Sequence, residues 1–555
     1  MRGVSTNKSQ LRSRIFKEVA ALAYEGWDPD KFHNLPYEIV PSEGSQYRDN
    51  IFTAREIASE RLRAAMGLSL RKFDVYESRL EGIDASIIAE KYYEPPLIDI
   101  IKFACNSCPE KRVFVTNACQ HCLEHPCQSV CPKQAISMHH EGARIDESKC
   151  IKCGQCVNAC SYHAIVKQER PCAQACGMNA IHSDEHGRAE IDTNKCVSCG
   201  QCLVSCPFGA IIDKSQIFQT ITAIKSGTPV YLAVAPAISG QFGANVSFGQ
   251  IRTAARRLGF ADVHEVAGGA DLCAVEEAKD FLDEVPARHP FMATSCCPAW
   301  SVMAKKLYPD LAPNISMALT PMVLTARLIK SRHPEAKVCF VGPCAAKKLE
   351  ASRRTIRSHV DFVLTFEEFA AILEAKNVVV SKCESTGQAH EASGHGVGFA
   401  VSGGVAKAVQ EVIRDTAGKE IPVAAAEGLA DCRKLLQQAK AGKYDGYLLE
   451  GMACPGGCVA GAGVIAPVNK STFCVQKEAA SRENTALSSE YLGMLTALER
   501  EAWVRHKSAS READLDAASK QIGLSDFAKL MEAEDAAAEA EAAEIAAMLG
   551  DDFDA

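Results

Sequence analysis

Sixteen of the 26 cysteines lie between residues 105 and 206, in short and regular spacings. Three closely spaced thiolates on one loop can bind three corners of an iron–sulfur cubane, while a fourth cysteine ahead of a short helix points to the neighbouring cluster. Because disulfides are rare in reducing compartments, metal binding is the first explanation for so many cysteines. The runs are Cys105-x2-Cys108, Cys119-x2-Cys122-x4-Cys127-x3-Cys131, Cys150-x2-Cys153-x2-Cys156-x3-Cys160, Cys172-x3-Cys176 and Cys196-x2-Cys199-x2-Cys202-x3-Cys206.

This block is similar to bacterial ferredoxin domains and predicts four 4Fe–4S sites, here called sets A to D. A tripeptide of similar sequence follows the last cysteine of each group, at Gln134–Ile136, His163–Ile165, Asn179–Ile181 and Gly209–Ile211. Set C requires the stretch between its second and third ligands to be an inserted second module. Zinc, which also binds paired C-x2-C, is the alternative metal. Set A is Cys119, Cys122, Cys127 and Cys160; set B is Cys150, Cys153, Cys156 and Cys131; set C is Cys105, Cys108, Cys172 and Cys206; set D is Cys196, Cys199, Cys202 and Cys176.

Three further cysteine motifs follow, at Thr294–Trp300, Gly342–Lys348 and Glu450–Gly463. The first contains the adjacent pair Cys296 and Cys297. Neighbouring residues on a strand or tight turn point in different directions, so the two thiols cannot easily bind one cluster side by side. One can be a ligand while the other has a different task, unless both are simply buried in a core.

The three motifs, in this order and downstream of the ferredoxin block, resemble the signature motifs of the [FeFe]-hydrogenases over roughly residues 105 to 480. The resemblance implies an H-cluster, in which a 4Fe–4S cubane is joined through a cysteine sulfur to a two-iron unit with CO, cyanide and a bridging amine dithiolate. It assigns the cubane to Cys297, Cys344, Cys454 and Cys458, with Cys458 as the bridge. Thiolates suit such iron centres chemically.

The resemblance also implies roles for residues around the cofactor. Lys347 would pair with a cyanide, which needs a charged partner in an apolar site. Cys296 would donate protons beside the bridging amine. The predicted proton-path residues are Glu277, Asp280 and Ser316, and the predicted cofactor neighbours are Met452, Ala235, Pro236, Ala237 and Gly342. Three of these residues, Asp280, Ala237 and Gly342, differ from the residue that is most frequent at that position in the family.

The elements that position these motifs are predicted as alternating strands and helices. Apolar runs at 230–234, 262–266, 338–341 and 444–449 predict strands, and 249–259 predicts a helix. This pattern indicates parallel sheets with the motifs at strand ends. The expected fold is a multidomain α+β protein, in which ferredoxin-like modules precede a two-lobed α/β catalytic domain. We expect a helical segment over 1–95, the ferredoxin-like domain over 96–215, the catalytic domain over 216–480 and a helical C-terminal segment with an acidic tail over 481–555.

Composition narrows the function class. The formal net charge of −8 over 555 residues lacks the excess of basic residues that is typical of nucleic-acid-binding proteins. No apolar run is long enough to predict a membrane span. The N-terminus is polar and basic without an apolar core, which favours a cytoplasmic protein. The predicted function is reversible reduction of protons to H2, with electrons from ferredoxin or a similar low-potential carrier and a cofactor supplied by dedicated maturation proteins. An H2-sensing regulator and an iron–sulfur assembly relative are the alternatives.

Overall fold

Three helices form the N-terminal segment, and polar side chains begin each of them. The computed structural model describes residues 3–42, 50–72, 74–353, 356, 359–386, 392–489 and 491–494. The helices are α1 (Asn7–Glu25), α2 (Pro29–Ile39) and α3 (Ile51–Ala65). Thr6, Asp28 and Asn50 accept hydrogen bonds from the free N–H groups of the first turns. Gly26 ends α1 with a positive φ, as the sequence predicts.

The N-terminal helices bind to the end of the cysteine-rich region. The ammonium group of Lys8 donates to the carbonyl oxygens of Val204 (3.0 Å) and Cys206 (3.1 Å). The guanidinium group of Arg61 donates to the carbonyl oxygen of Gly209. The sequence predicted a helical segment here without naming its contacts, and these hydrogen bonds provide them.

Short antiparallel hairpins and single-turn helices make up the cysteine-rich region. The strands pair as β1–β8, β2–β5, β3–β4 and β6–β7. The β2 to β5 segment therefore forms a separate module, nested within the chain that carries set C. The strands are β1 (Ile98–Ile100), β2 (Arg112–Val115), β3 (Ile136–His139), β4 (Gly142–Ile145), β5 (Ile165–Gln168), β6 (Ile181–Ser183), β7 (Ala189–Ile191) and β8 (Ile211–Asp213), and the helices are α4 (Pro126–Ser129), α5 (Gln155–Ala159), α6 (Pro171–Gln174) and α7 (Gln201–Ser205).

Two parallel sheets flanked by helices form the region after residue 216, as the alternating pattern predicts. One sheet has the strand order β10-β9-β12-β13 and the other β11-β15-β14. The strands are β9 (Val230–Val234), β10 (Val263–Glu265), β11 (Met292–Ala293), β12 (Lys337–Gly342), β13 (Phe362–Thr365), β14 (Val423–Glu427) and β15 (Leu448–Met452). The helices are α8 (Ile217–Lys225), α9 (Phe248–Arg257), α10 (Val266–Glu284), α11 (Pro298–Leu307), α12 (Pro321–Arg332), α13 (Ala346–Glu350), α14 (Phe366–Ala375), α15 (Gly394–Gly398), α16 (Gly404–Ala417), α17 (Leu429–Lys440) and α18 (Val468–Ala480).

One strand prediction was wrong at its start. Residues 444–447 form a turn rather than a strand, because Gly446 adopts a positive φ of 81° that strand geometry excludes, and β15 begins only at Leu448. The strands predicted at 230–234, 262–266 and 338–341 and the helix at 249–259 are confirmed within two residues at each end. Of the C-terminal segment, residues 481–489 contain one 3-10 turn (Ala486–Ser488), and the acidic tail lies outside the described residues.

The first and third motifs interlock through Trp300 and Gly451. The fully buried indole ring donates from Nε1 to the carbonyl oxygen of Thr294 at 2.9 Å. A Cβ on Gly451, within β15, would lie 2.2 Å from Cδ2 of that ring. Only a residue without a side chain therefore allows the strand to pass the indole.

Gly451→Ala is expected to lower the free energy of unfolding by about 1–3 kcal/mol, which is the usual cost of overpacking a core. Anaerobic chemical denaturation of the cluster-loaded protein would measure it. Gly268→Ala is the matched control, because Gly268 is helical and nothing lies within 4 Å of its added Cβ. Equal stability of the two variants would contradict the steric argument.

Candidate functional site

A repeated backbone turn presents N–H groups to the cysteine sulfurs of the ferredoxin-like region. In the first C-x2-C loop of each set the residue before the second cysteine is left-handed, with φ between 46° and 58° at Ser107, His121, Lys152 and Ser198. The N–H groups of Lys152 and Ser198 thereby point to the sulfurs of Cys150 and Cys196, at 3.4 Å in both cases. Such hydrogen bonds stabilise a negatively charged thiolate.

The repeated tripeptides work in the same way. Their first residues Gln134, His163, Asn179 and Gly209 all have a positive φ. In the first three, the following alanine N–H donates at 3.3 Å to the sulfur of the cysteine four residues earlier, which is Cys131, Cys160 or Cys176. The internal repeat seen in the sequence is therefore a device that orients the fourth cysteine of a group.

The predicted cysteine sets lie together in space. Sets B, C and D each line a small cavity of their own. Cys119, Cys127 and Cys160 of set A pack in one apolar cluster with Cys131, Cys150 and Cys156 of set B, and the thiols near Cys127 include Cys122 and Cys160. Among the described residues, no three Cys, His, Asp or Glu side chains converge closely enough to bind a single metal ion. The assignment of each cysteine to a cluster remains a prediction.

Set D adjoins the three-motif site. Cys199 of set D lies close enough to Cys344 and Cys454 to feel their charge. The side-chain amide of Gln201 donates from Nε2 to the sulfur of Cys454 at 3.1 Å. Burial raises the pKa of Cys199 to about 12. Set D is therefore the accessory set that physically contacts the predicted catalytic centre.

The three motifs converge because each one follows a parallel strand. Cys296 and Cys297 follow β11, Cys344 follows β12, and Cys454 follows β15. The motif side chains meet in a mostly apolar cavity of about 70 Å³. Cys454 lies beside this cavity, next to Cys297, Cys344 and Cys458. The residues that line the cavity include Cys296, Cys297, Cys344, Cys458, Lys347, Met452, Ala235, Pro236, Ala237 and Phe340.

The ammonium group of Lys347 is held in this cavity by a buried carboxylate. Its Nζ donates to Oε2 of Glu350 at 2.7 Å and to the carbonyl oxygen of Cys296 at 3.3 Å. Burial alone would lower the pKa of Lys347, but the charge of Glu350 outweighs it and raises the pKa. The second carboxylate oxygen of Glu350 accepts from Thr320 at 2.8 Å. Lys347 is therefore a fixed positive charge that can bind an anionic ligand.

Glu277 is fully buried on α10, behind the Cys296–Cys297 turn. Its Oε1 accepts from the N–H of Ser295 at 3.2 Å, whereas Oε2 has no hydrogen-bond partner among the described residues, although Ser316 lies beside the carboxyl group. Burial raises the pKa of Glu277 to about 8. Asp280 lies three residues later on the same helix and is partly exposed. Glu277 lies near both Cys296 and Asp280.

Gly342 leaves room for a neighbouring aromatic ring. A Cβ on Gly342 would lie 2.4 Å from the ring of Phe340 and 3.3 Å from the Cβ of Ala235. Phe340 thus fills the wall of the cavity at the position where the sequence predicted a missing side chain.

Sequence reasoning missed Glu350, Gln201 and Phe340. Glu350 lies three residues after Lys347, a spacing that brings two side chains together on a helix and could have identified it. Gln201 and Phe340 contact the site through tertiary packing, and no local signal in the sequence predicts those contacts.

The residues present fit the implied iron centres chemically. Thiols crowd together at low exposure, and this raises the pKa of Cys458 to about 12 and that of Cys344 to about 11. Bound iron would offset the unfavourable charge of their thiolates, because a coordinating thiol is deprotonated. The single ammonium group of Lys347 suits an anionic ligand in an otherwise apolar space.

The chain is similar to known families of iron–sulfur proteins. Residues 228–462 match the family described as iron only hydrogenase large subunit, C-terminal domain, and residues 143–166 and 188–211 match 4Fe–4S binding domains. The chain is 28% identical to iron hydrogenase 1 of Clostridium pasteurianum, over 71% of this chain and 81% of that protein. It is also 28% identical to cytosolic iron-sulfur assembly component 3 of Bos taurus, over 38% of this chain and 55% of that protein. A solved [FeFe]-hydrogenase structure from work on oxygen inactivation superposes with a TM-score of 0.42 and 23% identity, over 48% of this chain and 89% of that chain.

Within the described part of the chain, helices that combine the length and the apolar character needed to cross a bilayer are absent.

Proposed function

We propose, from the premise that this chain belongs to the [FeFe]-hydrogenase family, that it catalyses 2 H⁺ + 2 e⁻ ⇌ H2. One observation carries the proposal. The cavity lined by three of the four predicted cubane ligands, Cys297, Cys344 and Cys458, is also lined by Cys296 and Lys347, which a cubane alone does not need. A free thiol and a fixed ammonium group beside the cluster are what proton reduction at a di-iron unit requires of the protein.

Each side chain has a defined task in this proposal. Cys297, Cys344, Cys454 and Cys458 would hold the cubane, and the di-iron unit, when bound, would supply the redox chemistry. Lys347 would bind a cyanide of that unit, and Met452 with the Ala235–Ala237 turn lines the apolar wall. Cys296 passes protons between the cavity and Glu277, whose buried carboxyl group is close to Ser316. Asp280 completes the path at the surface.

Clusters held by the accessory sets would carry electrons between the carrier and the catalytic cavity. Set D adjoins that cavity, and Cys172 of set C lies near Cys202 of set D. Sets A and B belong to the nested module, which lies between Cys108 and Cys172 of set C in the sequence. We propose four 4Fe–4S clusters fed by ferredoxin or a similar carrier, a cytoplasmic location, and maturation proteins that deliver the di-iron unit.

Infrared spectroscopy of the matured protein tests the function. The proposal expects CO and cyanide stretching bands together with H2 production from reduced methyl viologen. Bands without turnover would favour the H2-sensing alternative. Absence of the bands after maturation would favour an assembly role, which the similarity to cytosolic iron-sulfur assembly component 3 also raises.

The double variant Cys105→Ala/Cys108→Ala is expected to lose one cluster, or about four iron atoms per chain. Both thiols line the cavity of set C with Cys172 and Cys206. Iron analysis of the purified protein would measure the loss, and Cys383→Ala, which removes a buried cysteine outside every set, is the control. Unchanged iron in the double variant would show that set C does not bind a cluster.

A further inference from the structure

We propose that the surface over set B is the docking site for a small acidic iron–sulfur protein that carries one electron. This surface, called here the carrier patch, is Pro132, Lys133, Ile151, Lys152, Cys153 and Lys167. The inference rests on the proposed function, because it names where the electrons for proton reduction enter.

The carrier patch is built directly over a predicted cluster. Lys133, Ile151 and Cys153 line the same small cavity as the other cysteines of set B. Ile151 is 57% exposed, and Cys153 is the exposed cysteine among the four. An electron carrier on this surface would therefore approach the ligands of set B more closely than those of any buried set.

The charge of the carrier patch is uniformly positive. Lys152 lies between Ile151 and Cys153, and the side chain of Lys167 packs beside Gly154 of the same loop. Within the described residues, Lys133, Lys152 and Lys167 make no salt bridge, whereas the nearby Asp146 is paired with Lys149. Three unpaired ammonium groups select a partner that carries negative charge.

The apolar residues of the carrier patch indicate a protein partner. Exposed Ile151 and Pro132 lie among the lysines, and transient interfaces commonly place a small apolar centre within a charged rim. Beside the set A ligand Cys122, Leu123 is 94% exposed but is followed by Glu124 rather than by a lysine. The positive charge therefore distinguishes set B from set A as the entry site.

The electron balance is simple. In each encounter the iron–sulfur centre of the carrier is oxidised by one electron, and the cluster of set B is reduced by one electron. Two encounters supply the two electrons that join two protons as H2. No group or proton is transferred at the carrier patch.

The test compares two triple variants of the full-length, cluster-loaded protein. Lys133→Glu/Lys152→Glu/Lys167→Glu reverses the charge of the carrier patch. Lys382→Glu/Lys419→Glu/Lys443→Glu makes the same change in net charge at exposed lysines of the catalytic region. The probe is a purified bacterial-type ferredoxin with two 4Fe–4S clusters and a net negative charge. Its Kd is measured by anaerobic titration calorimetry, and H2 production is measured with the same ferredoxin and with methyl viologen.

We expect the carrier-patch variant to raise the Kd and the KM for ferredoxin by about tenfold or more, and the control variant to change them little. Raising the salt from about 50 mM to about 500 mM should weaken binding by the wild type more than by the carrier-patch variant. Because Lys133 and Lys152 lie beside the ligands of set B, iron content is measured first and the Kd values are compared at equal iron content. The rate with methyl viologen and the iron content should stay unchanged in the control variant.

Equal Kd values for the wild type and the carrier-patch variant would overturn the proposal. An equal loss of binding in the control variant would also overturn it, because net charge alone would then explain the effect. Self-association of the wild type that only the carrier-patch variant lacks would overturn it as well, because the surface would then be a contact between two copies of the chain. Failure of the proposed function appears separately, as no H2 from methyl viologen. The calorimetric Kd tests the carrier patch in that case as well.

Discussion

Cys296→Ala is expected to lower H2 production by about 10²–10⁴-fold, the usual contribution of a positioned proton donor. Alanine removes the thiol but leaves the backbone, so the carbonyl oxygen that accepts from Lys347 remains in place. The four predicted cubane ligands are also untouched. The loss should therefore appear in turnover, and the CO and cyanide bands of the matured protein should stay.

The measurement is H2 production from reduced methyl viologen, with infrared spectra of the same samples. Cys432→Ala is a demanding control, because Cys432 is a fully buried cysteine that contacts the carbonyl oxygens of Ala426 and Met452, close to the cavity but outside it. It removes a neighbouring thiol without changing the proposed path. Full activity of Cys296→Ala would remove the proton role from this residue.

The cysteine loops could be identified from the sequence because ligand spacing is a local property, and the assignment of each cysteine to a cluster stays a prediction. A C-x2-C loop with a left-handed third residue folds around its sulfurs wherever it occurs, and Lys152 and Ser198 show the same turn some 45 residues apart. The three-motif cavity was predictable for a different reason. Parallel strands present their C-terminal ends at one edge of the sheet, so the motifs that follow β11 and β15 are brought together.

The contacts between distant segments could not be predicted from the sequence. Glu277 and Ser316 meet only because α10 packs against the chain that follows β11, and Gln201 reaches Cys454 across 253 positions. The N-terminal segment gave no chemical signal at all. Its Arg12 nevertheless bonds to Asp213 and Glu367, which belong to two other parts of the chain. Such contacts depend on tertiary packing, which leaves no periodicity in the sequence.

Lys348 is a buried residue that joins distant segments of the chain through ion pairs. The sequence placed it in the second motif without a role, but it is 1% exposed and joins three elements. Its Nζ lies 3.2 Å from Oδ2 of Asp213, which ends β8, and 2.8 Å from Oε1 of Glu368 on α14. Burial alone would raise the pKa of Asp213, but the charges of Lys348 and Arg12 outweigh it and lower the pKa to about 2.

Lys348→Ala is expected to lower the free energy of unfolding by about 3–5 kcal/mol, because it leaves the buried carboxylate of Glu368 without a cation and leaves Asp213 with Arg12 alone. Anaerobic chemical denaturation of the cluster-loaded protein measures the loss. Lys434→Ala is the control, since Lys434 is 70% exposed and its pair with Asp431 should contribute about 0–1 kcal/mol.

The triple variant Lys348→Met/Asp213→Asn/Glu368→Gln separates charge from packing. It removes the positive charge of Lys348 together with the negative charges of Asp213 and Glu368, so neither position keeps a carboxylate without Lys348. It should therefore recover much of the stability lost in Lys348→Ala.

The pH dependence of the stability follows from the pKa of Asp213. Because the folded pKa lies below the unfolded value of about 3.9, Asp213 stabilises the wild type above that pH, and this contribution is lost as the pH falls toward 2. Lys348→Ala should weaken this dependence of the stability on acid pH. If both the stability and its dependence on pH were unchanged in Lys348→Ala, the role of Lys348 in joining β8, α13 and α14 would be contradicted.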